Sequence, residues 1–232
     1  MTRERRRWTS TLAADIPAGP QGQPTHKAGA TVAVIHLVVL PEIGNVSMTV
    51  PRPSSISLDA AEKHVKRAVR LRKQLAGQTK RGRWIQKRHE VGFSNEELVY
   101  DFFEEASSGL ILMHTALDNF ANEQIPADFT FVGSDDQTIG RTQIEGRMSL
   151  PRRLDEILPD VAGVESLRTA EPMVWELLST LKGIRDDLGH VHLEQTYTRE
   201  SDDPSESVWS RMLTADLEEL LAAVEKAIIH YG

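Results

Sequence analysis

The chain has 232 residues, 40% of them apolar and 26% charged, with no cysteine and a formal net charge of -7 at pH 7. That length buries a substantial core in one large or two small domains, and the lack of cysteine excludes disulfides and Cys-based zinc sites and favours a cytoplasmic setting. The longest apolar run, 31–40, is about half of the roughly 20 residues a membrane span needs and contains His36, which excludes a transmembrane helix; no membrane partner is expected. Charge is unevenly divided: residues 1–100 carry 17 Lys and Arg against 8 Asp and Glu, whereas 101–232 carry 10 against 26. A basic half joined to an acidic half points to nucleic-acid contact or to electrostatic docking of one half on the other.

In chain order, 1–28 is basic and rich in Pro and Gly, which predicts a disordered or draped tail; its Arg-rich start is followed by no cleavage pattern of a secretion signal. The β-branched run 31–40 and the short run 46–50, separated by the turn-like P-E-I-G-N of 41–45, predict a hairpin. A helix is expected over 57–76, capped by Ser57 or Asp59, with Leu58, Ala61, Val65, Ala68 and Leu75 on its apolar side. Its other side is basic. Lys63, Lys66, Arg67, Arg70, Arg72 and Lys73 lie there, and Arg81, Arg83 and Trp84 follow. Such a surface tracks phosphates and offers one aromatic ring to a base; it also serves as a solvated face complementing the acidic half. Hairpin and basic helix together form an N-terminal region, 29–92.

The remainder, 93–232, reads as helical. Ser94-Asn-Glu-Glu97 has the form of a capping box, and Leu98, Phe102, Ala106, Leu110, Met113, Leu117 and Phe120 recur at three- and four-residue steps until Pro126. Small residues from Ala106 to Gly109 mark a bend or the close approach of a neighbouring helix. A loop is expected over 128–146, then a short helix over 150–158 with Ser149 as cap, ended by Pro159. Val174, Leu177, Leu178, Leu181, Ile184, Leu188 and Val191 form the stripe of the next helix, with Pro172 in its first turn and Gly189 placed to end or bend it. An acidic loop over 199–206 precedes a final helix over 208–229. Trp175 and Trp209 read as packing residues and His114 as a half-buried polar residue. The fold class is therefore mainly α, with a small N-terminal hairpin and a basic helix.

Chemistry concentrates where the apolar stripe of 171–194 ends in Arg185, Asp186, Asp187, His190 and His192. The run R-D-D-L-G-H from Arg185 to His190 resembles the R-x4-6-H signature of HEPN domains, and Asp186 suits the polar position after the arginine. An earlier segment, 116–126, carries Leu117, Asp118 and Asn122, similar to the Leu-acid-x-x-x-Asn pattern of many relatives. The resemblance implies an antiparallel helical bundle that forms a homodimer with its site at the protomer interface. The activity it implies is metal- and cofactor-independent RNA cleavage, by attack of the 2'-hydroxyl on its own phosphate. His190 would move protons, Arg185 would neutralise the phosphorane oxygens and Asp186 would orient His190. A toxin or defence role with a neutralising antitoxin protein belongs to the same expectation.

Arg185 and His190 differ in direction by about 140° on an ideal helix, so one straight helix does not aim both at one phosphate. Asp186 and His190 are four residues apart and share a face. The bland alternative makes these residues ordinary helix-end ion pairs in a noncatalytic dimerisation or interaction module. A third class, a metal hydrolase built on His114, His190 and His192, has no H-E-x-x-H or E-x-x-H motif behind it.

Overall fold

The computed structural model describes residues 9–11, 31–33, 35–42, 44–77, 79–85, 88–93, 95–133, 137–189 and 207–232. The expected tail apart from 9–11, Ser94, His190, His192 and the acidic loop 199–206 lie outside the described residues. The chain divides into two compact units, Met1–Ile56 and Ser57–Gly232. Described secondary structure is mainly helical, with antiparallel strand pairs between and before the helices.

In the first unit, β1 (Thr9–Thr11) pairs with β2 (Thr31–Ala33), and β3 (Ile35–Leu40) with β4 (Gly44–Thr49). The hairpin expected over 31–50 is thus present as β3 and β4, and Gly44 closes its turn at φ 86°, a left-handed conformation that glycine adopts without penalty. Within the stretch 1–28, expected to be disordered or draped, Thr9–Thr11 take β2 as their backbone partner.

Helix α1 (Pro53–Gly77) begins four residues earlier than expected, because Pro53 fits a first turn where its missing N–H costs nothing. Ser57 is consequently inside the helix, where its hydroxyl accepts from Asn119 Nδ2 at 3.4 Å instead of capping. The basic stretch beyond Gly77 forms a hairpin of β5 (Thr79–Ile85) and β6 (Arg88–Phe93), with a register shift between Arg81 and Trp84.

Helix α2 (Glu96–Gln124) spans 29 residues, and its cap is Asn95, whose side chain accepts from the Leu98 N–H at 3.2 Å. The small residues of α2 serve close approach: a Cβ on Gly109 would stand 3.2 Å from Val65 Cγ2, so α1 crosses α2 at that glycine. The expected loop over 128–146 holds a short hairpin, β7 (Thr130–Val132) with β8 (Thr138–Gly140), followed by α3 (Arg141–Arg147).

The next helix does not stop at Pro159. Turns Leu150–Arg152 and Leu158–Ala162 flank a π-turn, Arg153–Ile157, and the three run on as α4. The π-turn sends the Leu158 N–H to the Arg153 carbonyl and starts a new α register, so Pro159 falls in a first turn where no donor is needed. Gly163, at φ 67°, ends the helix. A single turn, α5 (Leu167–Ala170), leads into α6 (Pro172–Gly189).

The final helix is two. α7 (Val208–Thr214) and α8 (Leu217–Tyr231) are separated at Ala215 and Asp216, whose extended backbone lets the Asp216 carboxylate accept from Glu218 and Glu219 N–H at 3.1 Å each. Helices α2, α6 and α8 pack on one another around Phe102, Leu110, Leu117, Leu181, Ile184 and Val224. The end of α8 pins α4 to α5: the buried Tyr231 hydroxyl donates to the Leu154 carbonyl at 2.6 Å and accepts from Leu167 N–H at 2.7 Å. No described helix is long and apolar enough to cross a membrane.

Candidate functional site

Arginine 153 is the least expected residue near the suspected site. The positions Leu150, Leu154, Ile157 and Leu158 form the apolar stripe of α4, and Arg153 occupies the same stripe at a position a leucine would normally take. It is 4% exposed. Its guanidinium donates to Asp118 Oδ1 and Asn122 Oδ1, one turn apart on α2, while its Nε has no partner among the described residues. Asp118 and Asn122, the two polar positions of the Leu-acid-x-x-x-Asn pattern, thus both turn toward a buried cation. Arg141 adds a second clamp, reaching the Asn122 carbonyl at 3.2 Å and Glu145 at 2.6 Å. Two arginines therefore meet the last turns of α2, where carbonyls lack helical partners and the dipole favours positive charge. The signal that could have revealed Arg153 was a basic residue inside an i, i+3, i+4 apolar pattern.

On the facing helix α6, Arg185 is 44% exposed and donates to Asp186 Oδ1 at 3.0 Å. Lys182 donates to the other Asp186 oxygen. That ammonium holds the Asp186 carboxyl below the ordinary carboxylate range; partial burial opposes the shift and Arg185 reinforces it. Asp186 is thus engaged with the two cations of its own helix, whereas its expected partner, His190, follows Gly189 outside the described residues. Asp187 pairs with Arg211 of α7. A Cβ on Gly183 would stand 2.9 Å from Arg211 Nη2, so the glycine makes room for that tie.

His114, one turn before Asp118 on α2, links the two helices electrostatically. Burial lowers its imidazole below the ordinary 6.5, and Arg185 acts in the same direction, as does Lys182 more weakly; Asp118 and Asp186 oppose. The ring is half-buried at a narrow, mainly apolar cleft shared with Leu117, Leu154, Trp175, Leu178 and Lys182. Trp175 is therefore both a packing residue and a wall of this cleft. Trp209 packs edge-on against Phe103, with ring centroids 5.0 Å apart.

The basic face of α1 lies elsewhere. Lys63, Lys66, Arg67, Arg70 and Lys73 are exposed along it. Lys66 pairs with Glu62 and Arg67 with Glu105, and His64 Nδ1 lies 2.6 Å from the same Glu105. Arg72 instead turns inward to the Ala215 carbonyl, at the break between α7 and α8. Part of this face thus complements acids of α2, and a groove lined by Arg67, Arg70, Asp101, Glu104 and Glu105 carries both signs of charge. Arg81, Arg83 and Trp84 lie on β5; their side chains are outside the described residues.

Among the described residues no group of three or more His, Asp and Glu is arranged to hold a metal ion. Compared with known proteins, the chain matches no family model, no curated protein and no solved structure.

Proposed function

We propose that this chain is an endoribonuclease of HEPN type, cleaving RNA without a metal by 2'-hydroxyl transesterification. The observation that carries the reading is the packing of two segments far apart in sequence: α6, with Arg185, packs against α2, with His114, Asp118 and Asn122. Both parts of the sequence resemblance, Arg185–Asp186 and Asp118–Asn122, thus belong to the α2 and α6 side of one helical unit. In this reading Arg185 neutralises the phosphorane oxygens, His190 moves protons, and two protomers meet in an antiparallel bundle dimer that completes the site. The exposed cations of α1 hold the RNA backbone. A cytoplasmic toxin or defence effector restrained by an antitoxin protein is the biological setting that accords with such an activity.

The test is a cleavage assay with the purified full chain on structured and unstructured RNA in excess EDTA. Cyclic phosphate and 5'-hydroxyl ends are expected; activity that appears only with added zinc or manganese contradicts the reading. One observation favours the noncatalytic interaction module instead, namely that Lys182 and Arg185 already occupy the Asp186 carboxylate as helix-end ion pairs do. An inert wild type whose sedimentation shifts from dimer to monomer on Arg185→Ala would decide for that module.

A further inference from the structure

Helix α2 leaves one face of its N-terminal half open. Glu96, Val99, Tyr100, Phe103 and Glu104 recur at three- and four-residue steps and so share that face. With Trp209 of α7, whose ring packs edge-on against Phe103, they line a groove of about 770 Å³. Tyr100 is 71% exposed, whereas Phe103 and Trp209 rest half-buried on the core. Aromatic rings gathered on an open surface and rimmed by polar groups are the composition of a protein interface.

Charge decides what fits there. Glu96 and Glu104 stand about 12 Å apart along α2 by the helical rise, and neither has an ion-pair partner among the described residues; no Lys, Arg or His lines the groove. Arg67 and Arg70 border the neighbouring groove, which shares Glu104, and Arg67 is engaged with Glu105. An RNA backbone meets repulsion between the two carboxylates. Lys or Arg beside an apolar anchor meets both opposite charge and the ring faces that hold cations. Residues 190–206, which precede Ser207, hold five Asp and Glu against one Arg, the same sign as the groove.

We propose that this groove docks a protein segment in which two Lys or Arg flank a Trp or Phe. The aromatic ring seats against Tyr100, Phe103 and Trp209, and the cations meet Glu96 and Glu104, a span that roughly three to four residues of extended chain bridge at about 3.3–3.6 Å each. The inference is independent of the ribonuclease reading, since the groove shares no lining residue with the cleft at His114.

The probe is a dye-labelled peptide, Gly-Arg-Ser-Trp-Ser-Arg-Gly, titrated with the full chain and followed by fluorescence anisotropy. Two control peptides carry Glu in place of both Arg, or Ser in place of Trp. Tyr100→Ser and the double variant Glu96→Gln, Glu104→Gln are compared with wild type; all three positions are exposed, and melting curves confirm folding. Wild type should bind with an affinity that weakens as salt rises, and the control peptides should not bind. Tyr100→Ser should lose about tenfold or more, the scale of an interface anchor, and the double variant should lose affinity together with most of the salt dependence. Binding that neither variant weakens places the peptide elsewhere and overturns the proposal. So does a wild type that binds no peptide, the result expected of a groove already filled within the chain. A labelled single-stranded RNA whose affinity falls with Tyr100→Ser would assign the face to nucleic acid, and self-association that Tyr100→Ser abolishes would assign it to a second copy; either result overturns the proposal as well.

Discussion

Replacing Asp118 by Ala strands the Arg153 guanidinium in the core, and the structure sets the cost. Arg153 is 4% exposed and donates to Asp118 and Asn122, so the substitution removes the only formal countercharge among its hydrogen-bond partners in the described residues. Breaking a buried pair from one side costs about 3–5 kcal/mol. Asp118 itself is 39% exposed, so water replaces part of the lost carboxylate, and we put the loss at about 2–3 kcal/mol, at or below the low end of that range. For a unit of this size each kcal/mol lowers Tm by about 2–4 °C, which gives a fall of about 4–12 °C. Arg153→Met supplies the control, because an apolar chain of similar length needs no partner and also removes the unpartnered Nε. In the Asp118→Ala background Arg153→Met should be neutral or stabilising, whereas in the wild type it should destabilise. Urea unfolding followed by circular dichroism closes the cycle. Equal effects of Arg153→Met in both backgrounds would mean that the two residues are not coupled, and the clamp would not exist.

Further expectations follow from single contacts. Tyr231→Phe leaves the Leu167 N–H and the Leu154 carbonyl without their buried partner, and urea unfolding should show a loss of about 1–3 kcal/mol. Gly109→Val drives a branched side chain into α1 at Val65; a loss of about 1–3 kcal/mol is expected, and an unchanged midpoint would contradict the close crossing. The His114 imidazole is depressed by burial and Arg185, so stability from this group is fully present above its ordinary value of 6.5 and is lost as pH falls through the lower folded value. Melting curves between pH 7 and pH 5 should therefore move in favour of His114→Gln, relative to wild type, as the solution is acidified.

The apolar stripes were legible from sequence because period and burial coincide: Phe102, Leu110, Leu117, Val174, Leu181 and Ile184 are all buried as their spacing requires. Breaks were harder to read. Pro159 looks like a stop, yet the π-turn before it moves the proline into a new first turn. The break at Ala215 is hidden because Leu213, Leu217 and Leu220 keep a helical step across it, while Asp216 does the capping. For Arg153 the apolar spacing around it marks the position, but its role was not legible, since that depends on Asp118 and Asn122 arriving from another helix. The same holds for His114, whose neighbours Arg185 and Lys182 are distant in sequence.

The most direct test of the central claim compares Arg185→Ala and His190→Ala with wild type in the RNA cleavage assay, each with its own melting curve. Arg185 is exposed on α6 and its removal opens no core cavity, so Tm should move by a few degrees at most. The rate should fall by about 10² to 10³ for Arg185→Ala, the scale of losing one transition-state donor, and by about 10² to 10⁴ for His190→Ala. Wild-type rates in both folded variants, with the wild type itself active, would contradict the assignment of Arg185 and His190 to the chemistry.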